Sequence, residues 1–310
     1  MKQFLIKVII ASLPILLAAF GMELMLRKTP NDYLLKNQYL EDNAADIETL
    51  ILGSSHAYYD FDPEYFSSKT FNASHISQSL NYDFEIFKKY QNKLKNLKTV
   101  ILPISYFSLY GKLEAGSESW RAKNYVIYYG VSTSKSLTDF SEVLSNKFSV
   151  NVERLASYYL LNESNVSCSK LGWGTQYKSQ NARDLVDTGK KSAKRHTIFG
   201  INTREEEKTL KENVHILITM LQWCKEHNIH VYLLTPPAYE SYRQDLNEQQ
   251  LQTTINTTST ICSKFDNCMY ENLMNAPNFV AIDYFDADHL SDIGAKKLSL
   301  LINEKINKWK

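Results

Sequence analysis

A serine hydroxyl attacks a carbonyl only when a base takes its proton, and an imidazole does this best when a carboxylate fixes its tautomer. Two short stretches of the chain offer those groups. In "TLILGSSH" (residues 49–56) an apolar run stops at Gly53 and opens into Ser54, Ser55 and His56. In "DYFDADHLSDIGA" (283–295) Asp283, Asp286, Asp288 and His289 fall within seven residues. Asp286 and His289 are three apart, so one turn presents both to the same cleft. The second acid, Asp288, competes with Asp286 for the histidine, and the spacing favours Asp286. Either serine fits a sharp turn after a strand. A polar turn after a buried strand, or a surface "DxxH", would look the same in isolation.

The elements around these stretches decide their meaning. In open α/β sheets reactive groups gather at the carboxyl ends of strands. Short apolar runs at 49–53, 99–105, 229–237 and 278–285 read as strands. Between and after them, 79–97, 205–228 and 291–309 carry apolar residues at helical intervals, the last with Ser291 placed as an N-cap. This alternation predicts an α/β fold with a parallel sheet flanked by helices. The serines then follow the first strand, and the histidine precedes the last helix. Strand two delivers Ser105 and Tyr106, and strand three delivers Thr235 and two prolines that cannot continue a ladder. Residues about 111–204, rich in Ser, Asn, Tyr and Lys and carrying Trp120 and Trp173, are too long for a loop and read as an α-rich insertion.

The N-terminus is of another kind. Residues 8–22 hold no charge, and Lys2, Lys7, Arg27 and Lys28 flank the run. From Phe4 to Leu26 it has about the ~20 residues a bilayer needs. Ala18-Ala19-Phe20-Gly21 offers only a poor leader-cleavage site, so the segment reads as an uncleaved signal anchor. The expected organisation is an anchor (1–28), a connector (29–45) and an α/β domain (46–310) on the outer side of the cytoplasmic membrane. The 310 residues carry a net charge of +1 with no basic tract interleaved with aromatics, so no nucleic-acid partner is expected. Twenty tyrosines suit a sugar-binding groove, though also a plain core. Cys262 and Cys268 could close the loop "CSKFDNC", and no Cys/His cluster has metal spacing, so neither metal nor cofactor is expected.

With its serine after the first strand and its Asp-x-x-His before the last helix, the chain resembles the SGNH (GDSL-type) hydrolases over about 46–110 and 210–310. The "GSSH" form is similar to the branch of membrane-anchored cell-envelope acyl-transfer proteins of the alginate-acetylation and D-alanine-transfer types. The resemblance implies a three-layer, flavodoxin-like domain in which Ser55 is the nucleophile, His289 the base and Asp286 its orienting acid. It also implies an oxyanion hole built from N–H groups at Ser55 and Ser77, where the family has glycine. The third block, "LPISYFS", lacks the family's Asn, so the hole is either two-pronged or completed by Ser105, Tyr106 or Asn72. His56, Tyr106, Trp120 and Trp173 are candidate substrate contacts. The expected activity is an acyl esterase or O-acyltransferase on an acylated glycan, served by a membrane-bound acyl donor protein. The missing Asn keeps a non-catalytic glycan- or partner-binding protein as the alternative; a plain lipase or peptidase fits the anchor less well.

Overall fold

The computed structural model describes residues 1–131, 133, 136–200 and 203–309. Residues 132, 134, 135, 201 and 202 of the predicted insertion, and Lys310, lie outside the described residues. The chain divides into two units, Met1–Asn37 with Ser119–Val166, and Gln38–Glu118 with Ser167–Lys310. This differs from an insertion over 111–204, because 167–196 belongs to the larger unit and the N-terminal helix joins 119–166 in the smaller one.

In the smaller unit, α1 (Lys2–Lys28) is followed by the start of α2 (Asp32–Asn43), which lies within the connector of 29–45. The larger unit begins its sheet with β1 (Thr49–Ile51) and α3 (Ser55–Asp60), then β2 (Thr70–Asn72), α4 (Leu80–Tyr90) and β3 (Thr99–Pro103). Short helices of the smaller unit follow: α5 (Ala122–Asn124), α6 (Glu142–Ser145) and α7 (Phe148–Tyr159). The chain returns through α8 (Leu185–His196), α9 (Thr203–Glu226), β4 (His230–Thr235), α10 (Glu240–Gln244), α11 (Glu248–Cys262) and β5 (Cys268–Asn272). It ends with a hairpin of β6 (Tyr284–Asp286) and β7 (His289–Leu290), and α12 (Asp292–Lys308).

The main sheet is wholly parallel, in the order β2-β1-β3-β4-β5. Ile51, Ile101, Tyr232 and Leu234 meet Ala57, Phe61 and the Leu298, Ile302 and Ile306 stripe of α12 on one face. Side chains alternate along a strand, so Leu50, Val100, Leu102, Val231 and Leu233 point to the other face. They are buried as well. Helices therefore cover both sides, which is why the strands read as unbroken apolar runs. On that second side α4 meets α9 through Phe87 and Trp223, ring centroids 5.1 Å apart.

Two elements differ from expectation. The run at 278–285 is not a strand of the main sheet: it forms a 3-10 turn (Ala281–Asp283) and then the short hairpin that carries His289. The edge of the sheet is instead β5, to which the sequence reading assigns no element, and a disulfide between Cys262 and Cys268 ties its first residue to the end of α11. Cys168 and Cys224 are buried and take no part in that disulfide.

Gly294, in the first turn of α12, allows that helix to lie against the 3-10 turn. A Cβ there would stand 2.0 Å from the Asp283 carbonyl oxygen and 3.1 Å from the Leu290 Cβ. Backbone cannot move aside cheaply, so Gly294→Ala is expected to cost about 2–3 kcal/mol. A fall of several degrees in Tm by scanning fluorimetry checks this, and an unchanged Tm contradicts it.

Candidate active site

A strand order of 2-1-3-4-5 reverses direction between β1 and β3, and it is at such a switch point, beyond the strand carboxyl ends, that a crevice opens. Ser55 stands there as the first residue of α3. Gly53 makes the turn with φ 124°, and a Cβ on it would meet the Ala57 Cβ at 3.0 Å, so this position needs glycine. Its N–H donates to Asp83 Oδ1 at 2.6 Å, and the Gln78 side-chain amide donates to the same oxygen at 2.6 Å. Asp83 thus ties the serine turn to the 75–78 turn. Burial, opposed by the two donors, lifts its carboxyl to about 7. Sequence spacing gave no sign of this acid.

From the other side comes the β6–β7 hairpin. Asp286 Oδ1 accepts the backbone N–H of His289 at 2.9 Å and of Asp288 at 3.2 Å, and lies 2.9 Å from His289 Nδ1. His289 Nε2 lies 2.8 Å from Ser55 Oγ. When the ring is neutral, donating Nδ1–H to the carboxylate leaves Nε2 to accept the serine proton. Ser54 makes no comparable contact with the imidazole among the described residues. The hairpin is held in turn by Asp60, at the end of α3, whose Oδ1 accepts Leu290 N–H at 2.9 Å. Burial pushes the Asp60 carboxyl well above its ordinary value. Tyr59 and Tyr177, stacked with centroids 3.5 Å apart, present their edges to the imidazole. They are contacts that the sequence did not single out.

Behind the histidine lies a second buried acid. Asp288 Oδ2 is 3.6 Å from His289 Nδ1, from His56 Nε2, from His196 Nδ1 and from an Arg195 guanidinium nitrogen. Burial alone would push Asp288 up, yet His289, His56 and His196 around it hold it well below the ordinary carboxylate range. Burial pulls His56 down and takes His196 to about 3. His289 goes the other way: burial lowers it, but Asp286 and Asp288 outweigh that and hold it at about 9. Among the described residues, His56, Asp288 and His289 also form a trio whose ligand atoms lie within 4.8 Å of one another. A cation there would draw on the Nδ1 that Asp286 holds, so the trio fits a proton network better than a metal site.

The remaining candidates separate. Ser77 takes φ 59°, the left-handed conformation that favours glycine, and its Oγ bonds Glu118. Asn72 is committed to the Ala57 and Phe61 carbonyls at 2.8 and 3.0 Å and to Ser74, so its side chain is not available as an oxyanion donor. Ser105 Oγ lies 2.6 Å from His56 Nδ1. The other ring nitrogen, Nε2, stands 3.6 Å from Asp288 Oδ2 without a hydrogen bond. The remaining donors are backbone: a helix start leaves its first N–H groups without intrahelical partners, the Ser55 N–H among them.

Tyr106 is fully buried, with its hydroxyl 2.9 Å from Thr197 Oγ1 and accepting Asn247 N–H at 3.0 Å, so it is a packing residue rather than a substrate contact. The Trp173 indole N–H donates to the Tyr59 carbonyl at 2.7 Å and steadies α3. Trp120 belongs to the smaller unit, under the Arg121 guanidinium. Asp283 bonds Val280 N–H and Lys297 and ends the 3-10 turn. His75 is buried in the 75–78 turn. Away from the triad, at the β5 edge, a cleft of about 700 Å³ is lined by Arg243, Gln252, Glu271 and Asn275.

No family model matches the chain, and no curated protein matches it. Among solved structures it is similar to a protein described as an acylhydrolase from Bacteroides fragilis NCTC 9343, at 12 % identity over 87 % of this chain and 95 % of that one, TM-score 0.42. It is also similar to a GDSL-like lipase from Bacteroides thetaiotaomicron VPI-5482, at 12 % identity over 90 % of this chain and 100 % of that one, TM-score 0.42. These are distant likenesses of chain course, and the chemistry of the site rests on its own distances.

Proposed function

We propose that the protein is a membrane-anchored serine acyl esterase or O-acyltransferase acting on an acylated polysaccharide of the cell envelope. The observation that carries this reading is the continuous array Ser55 Oγ, His289 Nε2, His289 Nδ1 and Asp286 Oδ1, at 2.8 and 2.9 Å, at the switch point of the sheet. Ser55 Oγ attacks the acyl carbonyl while its proton passes to His289 Nε2. The tetrahedral oxyanion is met by backbone N–H groups at Ser55 and Ser77. Collapse expels the alcohol, which takes the proton from His289, and leaves an ester on Ser55. Water, or a sugar hydroxyl, then loses its proton to His289 and attacks that ester, regenerating the serine.

Acetyl is the acyl group we assign, on the resemblance of the "GSSH" turn. A membrane-bound acyl donor protein is the partner it implies. The helix α1 is long and apolar enough to cross a membrane, and no residue of its most apolar stretch is buried, which supports a single-pass anchor. A substrate domain on the outer face follows from the resemblance.

The test is intact mass after a fluorophosphonate probe, applied to the full chain in detergent. One adduct is expected, lost in Ser55→Ala and slowed in His289→Ala. The commitment of Asn72 and Ser105 to internal bonds favours one other reading, a domain that binds glycan without turning it over. No adduct on folded protein would establish that reading in place of ours.

A further inference from the structure

We propose that the smaller unit does not merely follow the anchor but seats an apolar face of residues 137–161 in the interfacial layer of the same bilayer. The proposal rests on α1 being the membrane span. Phe4 to Met22 rises about 28 Å as a helix, close to the ~30 Å hydrocarbon thickness. Glu23 is the first charge after that run, so it marks where the helix leaves the hydrocarbon.

Glu23 is also where the unit is tied on. Its carboxylate accepts the Ser141 hydroxyl at 2.8 Å and the N–H groups of Glu142 and Val143 at 3.1 and 2.9 Å, which caps α6. Arg27, one turn on, bonds Glu23 at 2.6 Å and donates to the Phe140 carbonyl. The Tyr159 hydroxyl reaches the Met25 carbonyl at 3.4 Å. Both ends of the 140–159 segment are thus fixed to the turn of α1 at the membrane exit.

Around that tie stand Leu137, Phe140, Leu144, Phe148, Leu160 and Leu161, between 52 and 85 % exposed. Large apolar side chains gathered this densely on one short segment mark an interaction surface. Burying each is worth about 1.5–3 kcal/mol. Of the segment's acids, Glu142 is buried against Lys123 at 2.6 Å and Arg154 at 2.7 Å and Asp139 is half-buried, while Glu153 is exposed. Lys147, exposed beside Phe148, has the reach to keep its ammonium among lipid headgroups. Because the segment is tied directly to the helix read as the membrane span, at Glu23, Met25 and Arg27, the occupant is lipid rather than a second protein.

The test places an environment-sensitive nitrobenzoxadiazole label on single cysteines in the full chain, reconstituted in nanodiscs with or without nitroxide-headgroup lipid. Leu144→Cys, Phe148→Cys and Leu160→Cys are the probes, Ile9→Cys reports the span, and Lys98→Cys is the aqueous control. Cys168 and Cys224 are buried, and the labelled parent chain sets their background. The expected result is quenching of about two-fold or more at 144, 148 and 160 and none at 98. Quenching at 9 with none at 144, 148 and 160 overturns the proposal and leaves the anchor standing. A blue shift at those three without quenching also overturns it, in favour of a protein partner. No quenching at 9 removes the anchor itself and, with it, the proposal.

Discussion

Asp286→Asn is expected to lower turnover of an activated acetyl ester about 10⁴-fold, the loss typical when a triad acid is neutralised. The substitution keeps a carbonyl oxygen where Asp286 Oδ1 now accepts the backbone N–H groups of Asp288 and His289. The hairpin can therefore hold its shape while the charge opposite His289 Nδ1 is gone. Two things follow from that lost charge: the imidazolium that forms as Ser55 loses its proton is stabilised less, and the ring is no longer held in the tautomer that aims Nε2 at Ser55. Steady-state kinetics beside a melting curve separate the two possibilities. A loss in kcat with an unmoved Tm fits the assigned role. A loss under tenfold would mean that Asp288, 3.6 Å from the same nitrogen, is the acid that matters.

How much of this could be read from the chain depends on how local each feature is. β1, β3 and β4 were legible because a strand buried on both faces must be apolar throughout, and "TLI", "TVILP" and "HVYLLT" are. The edge strands β2 and β5 were not, because "TFN" and "CMYEN" are short and polar and take their extended form from a neighbour rather than from their own pattern. The run at 278–285 misled for the opposite reason: it is apolar enough for a strand, but Asp283 bonds Val280 N–H and curls it into a 3-10 turn. In the site, Asp286 and His289 were legible because one turn joins them. Asp60, Asp83, His196 and Arg195 were not, since each meets the site only through the folding of distant segments. His56 was noticed for its place beside the serines, but its pairing with Ser105 and Asp288 spans three elements and has no linear signature.

That buried network sets how activity should respond to pH. With His289 held at about 9, the ring is protonated at neutrality and cannot accept the serine proton. In kcat/KM, activity should rise tenfold per unit through the neutral range and level off above about 9, leaving roughly one part in a hundred of the plateau at pH 7. Stability runs the other way. A histidine whose folded value lies above its unfolded 6.5 contributes stability that is full below that value and is lost as pH climbs through about 9. The same charges thus hold the resting fold and restrain the base. The groups that face the ring are Asp286, Asp288, Asp60, His56 and the two tyrosine edges, with His196 and Arg195 behind Asp288. Of these, Asp288 is the one that can lose its charge without disturbing the bond between Asp286 and His289. Asp288→Asn should therefore shift the acid limb toward the ordinary histidine range and raise activity at pH 7, with the alkaline plateau kept within about tenfold. A pH–rate profile of the variant against the parent decides it: a limb that stays where it was would mean that Asp288 is screened from the base by His56 and Arg195. A limb that moves while the plateau stands would show that the second acid tunes the base, and that ligands which neutralise Asp288 would switch the enzyme on at neutral pH.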